Sequence, residues 1–188
     1  MEARFEDIVV GARGGEPWAV SQLWRRFNPD LLRFLRGRAP GSVDDVASET
    51  WIRVGRAIVR FDGSEADFRA WFFTIARRAL IDWQRKERRR ATVAVEDPVF
   101  DAMTSHTDTA NIAIERIATD AALRLVATLP ADQADVVLLR VVAGLSADRV
   151  AAILGKSAGS VRVLQHRGLR RLAEQLAADP RRVDRVTP

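Results

Sequence analysis

Aromatic and arginine side chains crowd one stretch of this chain, Asp67 to Arg90, DFRAWFFTIARRALIDWQRKERRR. Phe68, Trp71, Phe72, Ile75, Ala76, Ala79, Leu80 and Trp83 recur at helical spacing, which predicts one broad apolar face turned to a core. Phe73, Arg77, Arg78, Ile81 and Arg85 fall off that face. Guanidinium groups bind phosphates and aromatic rings stack on unpaired bases, so such a helix carries the chemistry to hold opened nucleic acid. A core helix ending in a solvated charge run fits the same residues, and the stretch alone does not decide between them.

Catalytic chemistry has few candidates elsewhere. Cysteine is absent, which removes disulfides, thiolate metal sites and a cysteine nucleophile. Gly155-Lys156-Ser157 has the ending of a phosphate-binding loop, but Val150 stands where the earlier glycine is required and no strand pattern precedes it. His106 and His166 lack the serine or aspartate arrangement of a nucleophile and its base. Asp44, Asp45 and Glu49 could face a cation, yet helix capping and an exposed acidic face explain them more simply. The expectation is a protein with no cofactor, no metal, no small-molecule substrate and no catalytic residue, hence not an enzyme.

The 188 residues suit one large domain or two small ones. A hydrophobic content of 47% with 29% charged residues indicates a globular chain. The net charge of +5 favours a polyanionic partner. Only Lys86 and Lys156 are lysines; the other cations are arginines, the better fork for phosphate and guanine edges, though a genome rich in G and C produces the same bias. MEARFEDIVV has no signal-peptide pattern, and no apolar run approaches the ~18 residues of a membrane span. A cytoplasmic protein without direct membrane insertion is expected.

Helical periodicity dominates and sustained alternation is absent, so the predicted fold class is all-α. A first helix is expected over Arg4 to Ala12, ended by Gly14-Gly15, and a second from Glu16, broken or kinked at Pro29. Ser42 with Asp45 forms a capping-box-like start for a helix to about Phe61. Asp62-Gly63-Ser64 then turns the chain into the arginine-rich helix. From Ala91 to Asn111 there is no Lys or Arg, whereas Glu96, Asp97, Asp101 and Asp108 are present. This acidic linker, extended, reaches roughly 70 Å, about two turns of duplex. It is either simply solvated or an imitation of nucleic acid in a basic channel.

Beyond the linker, Ile112, Ile114, Ile117, Ala121, Leu125 and Leu129 resume the helical pattern, and Pro130 opens a further helix ending at Ala143-Gly144. Ser146 can cap a short helix, Gly155 makes a turn, and Ser157 can cap a longer helix. That is a helix-turn-helix pattern. Val161, Leu164, Gly168 and Leu172 would hold its second helix to the core. Ala158, Gly159, Ser160, Arg162, Val163, His166 and Arg167 would face a major groove. The residues after Ala178 lack periodicity and read as a tail.

Taken together, the chain resembles the extracytoplasmic-function sigma factors, the compact members of the main bacterial sigma family that keep only regions two and four. The resemblance is carried by VDDVASETWIRV and RFDGSEADFRAWFFTIARRALIDWQRKERRR in region two. LPADQADVVLLRVVAGLSADRVAAILGKSAGSVRVLQHRGLRRL carries it in region four. It implies two helical domains, a region-two bundle over residues 1–90 and a region-four helix-turn-helix over 112–178, joined by the linker at 91–111 and followed by a tail at 179–188.

The implied partners are core RNA polymerase, through the clamp helices of its large subunit and its flap region, and promoter DNA. An anti-sigma factor is a further partner that the resemblance raises. Asp45, Ser48, Glu49, Trp51 and Ile52 would dock on polymerase. Arg60, Asp62, Ser64, Phe73, Arg77, Arg78, Trp83 and Arg85 would serve the minus-10 element and help open the DNA, although Trp83 also fits the apolar face. Ser157, Gly159, Ser160, Arg162, Val163, His166, Arg167 and Arg170 would serve the minus-35 element.

Five positions depart from the family pattern. Ser48 stands where glutamine is usual, Gly55 where tryptophan is frequent, Arg78 where asparagine is common, and Leu164-Gln165 replaces an arginine and apolar pair. The promoter sequence therefore does not carry over. The competing reading is a free-standing helix-turn-helix regulator whose N-terminal half senses or dimerises; it would bind duplex tightly without polymerase.

Overall fold

A computed structural model describes residues 3–93 and 110–178. These residues are helical with no strand among them, and the elements follow the expected order. In the N-terminal half, α1 spans Phe5–Arg13, α2 Pro17–Arg36, α3 Val43–Ala57 and α4 Glu65–Val93. The C-terminal half comprises α5 at Ala110–Ala127, α6 at Ala131–Val137, α7 at Ala147–Leu154 and α8 at Ala158–Ala178. The ends of the acidic linker are helical, as the last residues of α4 and the first of α5. The rest of it, with His106, and the tail from 179 lie outside the described residues.

The N-terminal bundle is built on rings. Phe27, Phe34, Phe68, Phe72 and Phe73 are wholly buried. Ring centroids lie 4.8 Å apart for Phe27 and Phe68, 5.0 Å for Trp51 and Phe72, and 5.2 Å for Phe61 and Phe68, in edge-on or tilted arrangements. Each such pair adds about 0.5–1.5 kcal/mol to the area it buries. The cluster locks α4 against α2, α3 and α1.

Local expectations met several corrections. Of the break or kink expected at Pro29, the break does not occur, and α2 runs continuously through it. Leu23, Phe27, Leu31, Phe34 and Leu35 lie fully inside the core along this one helix, and that burial outweighs the lost backbone bond at proline. Ser42 makes no side-chain cap bond; the chain enters α3 through a short 3-10 turn at Pro40–Ser42. The reciprocal capping box sits instead at the start of α4. There the Asp67 carboxylate accepts from the Ser64 backbone N–H at 3.0 Å, and the Ser64 hydroxyl from the Asp67 N–H at 3.3 Å. The helix after Pro130 changes geometry, passing from α6 into a wider π turn at Leu138–Val142.

The helix-turn-helix forms as read. Ser146 accepts from the Arg149 N–H at 3.3 Å, and Ser157 from the Ser160 N–H at 3.1 Å. Gly155 takes the left-handed conformation, φ 64°, that a turn this tight demands and that side chains resist. The two halves also pack on one another. Leu138 is buried against Gly37, where an added Cβ would lie 2.8 Å from a Leu138 methyl carbon, so only glycine permits that approach.

Candidate nucleic-acid and polymerase interfaces

Helix α8 presents the cleaner surface. Val161 and Gly168 are buried, with Ala158, Leu164 and Leu172 partly so, and this seam packs the helix on α6 and α7, with Gln175 bonding to Thr128 near its far end. Ser157, Gly159, Ser160, Arg162, Val163, His166, Arg167 and Arg170 are all exposed. Val163 stands 49% open. Ala158, expected among the free residues, is half-buried because it begins the helix against the core. Arg170 donates to Glu174 at 2.8 Å, and Arg140 reaches Gln165 at 3.1 Å from the π turn. Small residues at the N-terminus of α8, Ala158-Gly159-Ser160, leave room for a phosphate backbone to approach.

Helix α4 divides differently. Arg60, Asp62 and Ser64 are exposed on the turn before it, and Arg78 and Arg85 on its outer side. Asp62 pairs with Arg13 at 3.4 Å, and Arg13 also donates to the Phe61 carbonyl. Trp83 is half-buried against the core, in keeping with its place on the apolar stripe. Phe73 contradicts the expectation that it lies off that stripe: it is fully buried, its ring 5.7 Å from Phe34 and 5.5 Å from Phe72. A helix with partners on more than one side has more than one buried stripe, and single-face periodicity misses the second. In this packing no part of the Phe73 ring is open to a base. Arg77 is half-buried and pairs with Asp135 of α6 at 3.1 Å.

At the start of α4, the hydroxyl of Ser64 donates to the Asp67 carboxylate at 2.5 Å and the backbone N–H of Ser64 donates at 3.0 Å. The Arg149 guanidinium adds a third donor at 2.7 Å. These bonds, Ser64 first, hold Asp67 below its ordinary carboxylate range.

On α3, Asp45, Ser48 and Ile52 are exposed, Ile52 at 48%. Glu49 is half-buried and accepts from Arg53 at 2.6 Å; Arg53 also bridges to Asp82 of α4 at 2.8 Å. Hydrogen bonds to Asp82 and then Glu49 raise the Arg53 pKa above its usual value. The Trp51 indole N–H donates to Asn28 at 3.0 Å while its ring lies 5.2 Å from that of Trp24, itself 47% exposed. Asp44, Asp45 and Glu49 do not converge, and among the described residues no three acidic or histidine side chains gather closely enough to hold a metal ion.

This layout, an aromatic-cored helix with a basic end and a helix-turn-helix with an open reading face, recurs in known proteins. The model of sigma-70 region 2 matches residues 23–90, and that of sigma-70 region 4 matches 119–172. The chain belongs to the extracytoplasmic-function (ECF) sigma factors. It is 32% identical to the ECF RNA polymerase sigma factor BldN of Streptomyces coelicolor, over 95% of this chain and 68% of that one. It is 35% identical to ShbA of Streptomyces griseus, over 89% of this chain and 95% of that one. To SigD of Mycobacterium tuberculosis the identity is 32%, over 93% and 85%.

Among solved structures the fold is shared with CnrH, determined in complex with the cytosolic domain of CnrY. The TM-score is 0.61 at 24% identity, over 92% of this chain and 96% of that one. The sigma factor RpoE of Bartonella quintana, solved with the anti-sigma factor NepR, gives 0.64 at 22%, over 85% and 97%. This ECF factor is an alternative sigma factor that directs transcription initiation, and its sigma domains bind core RNA polymerase and promoter DNA. Among the described residues no helix is long and apolar enough to cross a membrane.

Proposed function

We propose that the two halves divide promoter recognition, residues 112–178 reading the minus-35 element as duplex and residues 1–90 docking on polymerase and opening the minus-10 element. The observation that carries this reading is the contrast in exposure along α8. Its full set of reading residues, Ser157 to Arg170, is open, while a narrow seam at Val161 and Gly168 anchors the helix. Arg162, Arg167 and Arg170 supply cations for phosphates or guanine edges, and Val163 an apolar contact for a thymine methyl.

On α4 the exposed Arg78 and Arg85, with Arg60, Asp62 and Ser64 on the preceding turn, form the surface for opened strand. Stacking one base is worth about 1–3 kcal/mol and extruding one costs a few, so a small number of ring and arginine contacts nearly offsets local melting. Half-buried Trp83 lies on the α3 side of α4, lining a groove with Glu49 and Arg53, and not on the face that carries Arg78 and Arg85. Asp45, Ser48, Glu49, Trp51 and Ile52 make the polymerase-facing side, addressed to the clamp helices, while the C-terminal domain meets the flap. The acidic linker at 91–111 lies in the nucleic-acid channel of the enzyme.

The protein contributes specificity without catalysing a reaction of its own, needs no cofactor, and acts in the cytoplasm, where polymerase and chromosome meet. Its fold relatives solved with CnrY and NepR support an anti-sigma factor as a further partner. Run-off transcription with purified core enzyme, combined with permanganate footprinting of opened thymines, tests the assignment. Addition of the protein should produce promoter-dependent transcripts and reactive thymines at minus-10; a holoenzyme that opens no minus-10 strand would sink the division of labour. Glu49→Arg should weaken core binding while the isolated chain keeps its helical spectrum, and unchanged core affinity would move the docking face elsewhere.

A further inference from the structure

Arg38 and Arg77 come from different parts of the N-terminal domain, one just beyond α2 and the other midway along α4, yet both reach the same carboxylate. Arg38 Nε lies 2.5 Å from Asp135 Oδ1, and Arg77 Nε lies 3.1 Å from Asp135 Oδ2. Asp135 belongs to α6 of the C-terminal domain, and its side chain is 7% exposed. Two guanidinium groups converging on two oxygens of one anion form the geometry by which arginines hold phosphate. As simple glue the arrangement is poor, because desolvation offsets most of the attraction in a buried ion pair and apolar residues would hold the halves as well. The same near-balance makes it suitable for a contact that must open.

We propose that Arg38 and Arg77 form a site for a backbone phosphate of the opened promoter strand, and that Asp135 fills this site while the two domains are packed together. The proposal rests on the assignment of α4 to the minus-10 element and adds to it one residue outside α4 and an internal competitor. A second contact acts in the same direction. Arg149 of α7 donates to the Ala66 carbonyl and to Asp67 Oδ1, covering the start of α4 beside the turn that carries Ser64. Leu138 on Gly37 supplies the apolar part of the contact. The reading face of α8 remains exposed throughout, as do Arg60, Asp62, Ser64, Arg78 and Arg85, so the packed form occupies only the Arg38–Arg77 site and leaves the other DNA-facing groups open. A carboxylate that mimics phosphate must leave before phosphate enters, which makes domain packing and strand binding mutually exclusive.

The test uses the full chain without polymerase, so its failure is distinct from failure of the minus-10 assignment, which the permanganate footprint reads. The probe is a short fluorescent oligothymidylate, compared with the same oligomer carrying uncharged methylphosphonate linkages. Asp135→Asn should tighten binding of the charged oligomer about tenfold, the worth of one charge-assisted contact. It should also enlarge the chain in small-angle scattering, with the helical spectrum retained. The gain should vanish with the methylphosphonate oligomer and in the double variant Asp135→Asn, Arg38→Gln. Arg38→Gln alone, milder because it leaves Asp135 one partner, should expand the chain without tightening the oligomer. A gain that survives loss of Arg38 or of the phosphate charge overturns the site, and either single variant that stays compact overturns the competition.

Discussion

Helices α4 and α8 are the two that the proposed division of labour turns to DNA, and they are built in opposite ways. Helix α8 is anchored along one narrow seam, so nearly every residue assigned to DNA stands in solvent. Helix α4 is clamped by aromatic packing against α1, α2 and α3 and covered in part by the C-terminal domain through Arg77 and Asp67. On the proposed assignment, the difference suits the substrate each helix would handle. Reading duplex in a major groove needs a rigid helix offered from a small domain. Opening duplex needs a helix that can bear load, and a dense ring core supplies that stiffness.

The largest expected effect separates load from contact. Phe73→Ala removes a fully buried ring from α4 and should destabilise the protein by about 3–5 kcal/mol. Val163→Ala, on the open face of α8, should stay within about 0.5 kcal/mol. Chemical denaturation followed by circular dichroism measures both, and equal losses would erase the contrast. Next in size, Arg162→Ala should weaken binding to minus-35 duplex by about 1–3 kcal/mol, the worth of one good base contact, with no change in the unfolding midpoint. Fluorescence anisotropy on duplex checks this, and unaltered affinity and sequence preference would remove Arg162 from the reading face.

The same contrast explains what could be read from the chain itself. The region-four seam is a single 3.6-residue stripe bounded by a capping serine, and Ser146, Gly155 and Ser157 appear in the structure in those roles. Fold class and element order were legible for the same reason, since periodicity and turn residues act locally. Phe73 was not legible, because its burial depends on Phe34 of a helix distant in sequence. Pro29 misled in the same way: intrinsic propensity favoured a break, and the buried face of α2 prevailed. Asp135 carried no signal at all. It lies beyond the first turn of α6, where Asp132 is the dipole partner, and only the docking of two domains brings Arg38 and Arg77 to it.

A smaller effect concerns α7, which both supports α8 and sends Arg149 to α4. Ser146→Ala removes the hydroxyl that accepts from the Arg149 N–H and should cost about 1 kcal/mol. Hydrogen exchange should localise the loss to α7 and α8. Protection lost equally along α4 would mean that the two reading units unfold as one, and the contrast between them would then be one of surface only.

The smallest effect is an acid dependence confined to the start of α4. Bonds from Ser64, then Arg149, keep the Asp67 carboxylate ionised below its ordinary value of 3.8. A depressed carboxylate pKa contributes stability that is present in full above the ordinary value and is lost as pH falls through the lower, folded value. Asp67 is exposed, so solvent screens the interaction and the effect is modest. Asp67→Asn should leave the protein slightly less stable near neutrality and flatten its stability profile below about pH 4, where the unfolded chain's carboxylate begins to take up a proton while the native one still holds its charge. Thermal unfolding of both chains across that acid range reads the difference. Parallel profiles would show that the cap acts through its hydrogen-bond geometry alone, and that α4, like α8, begins on a neutral turn.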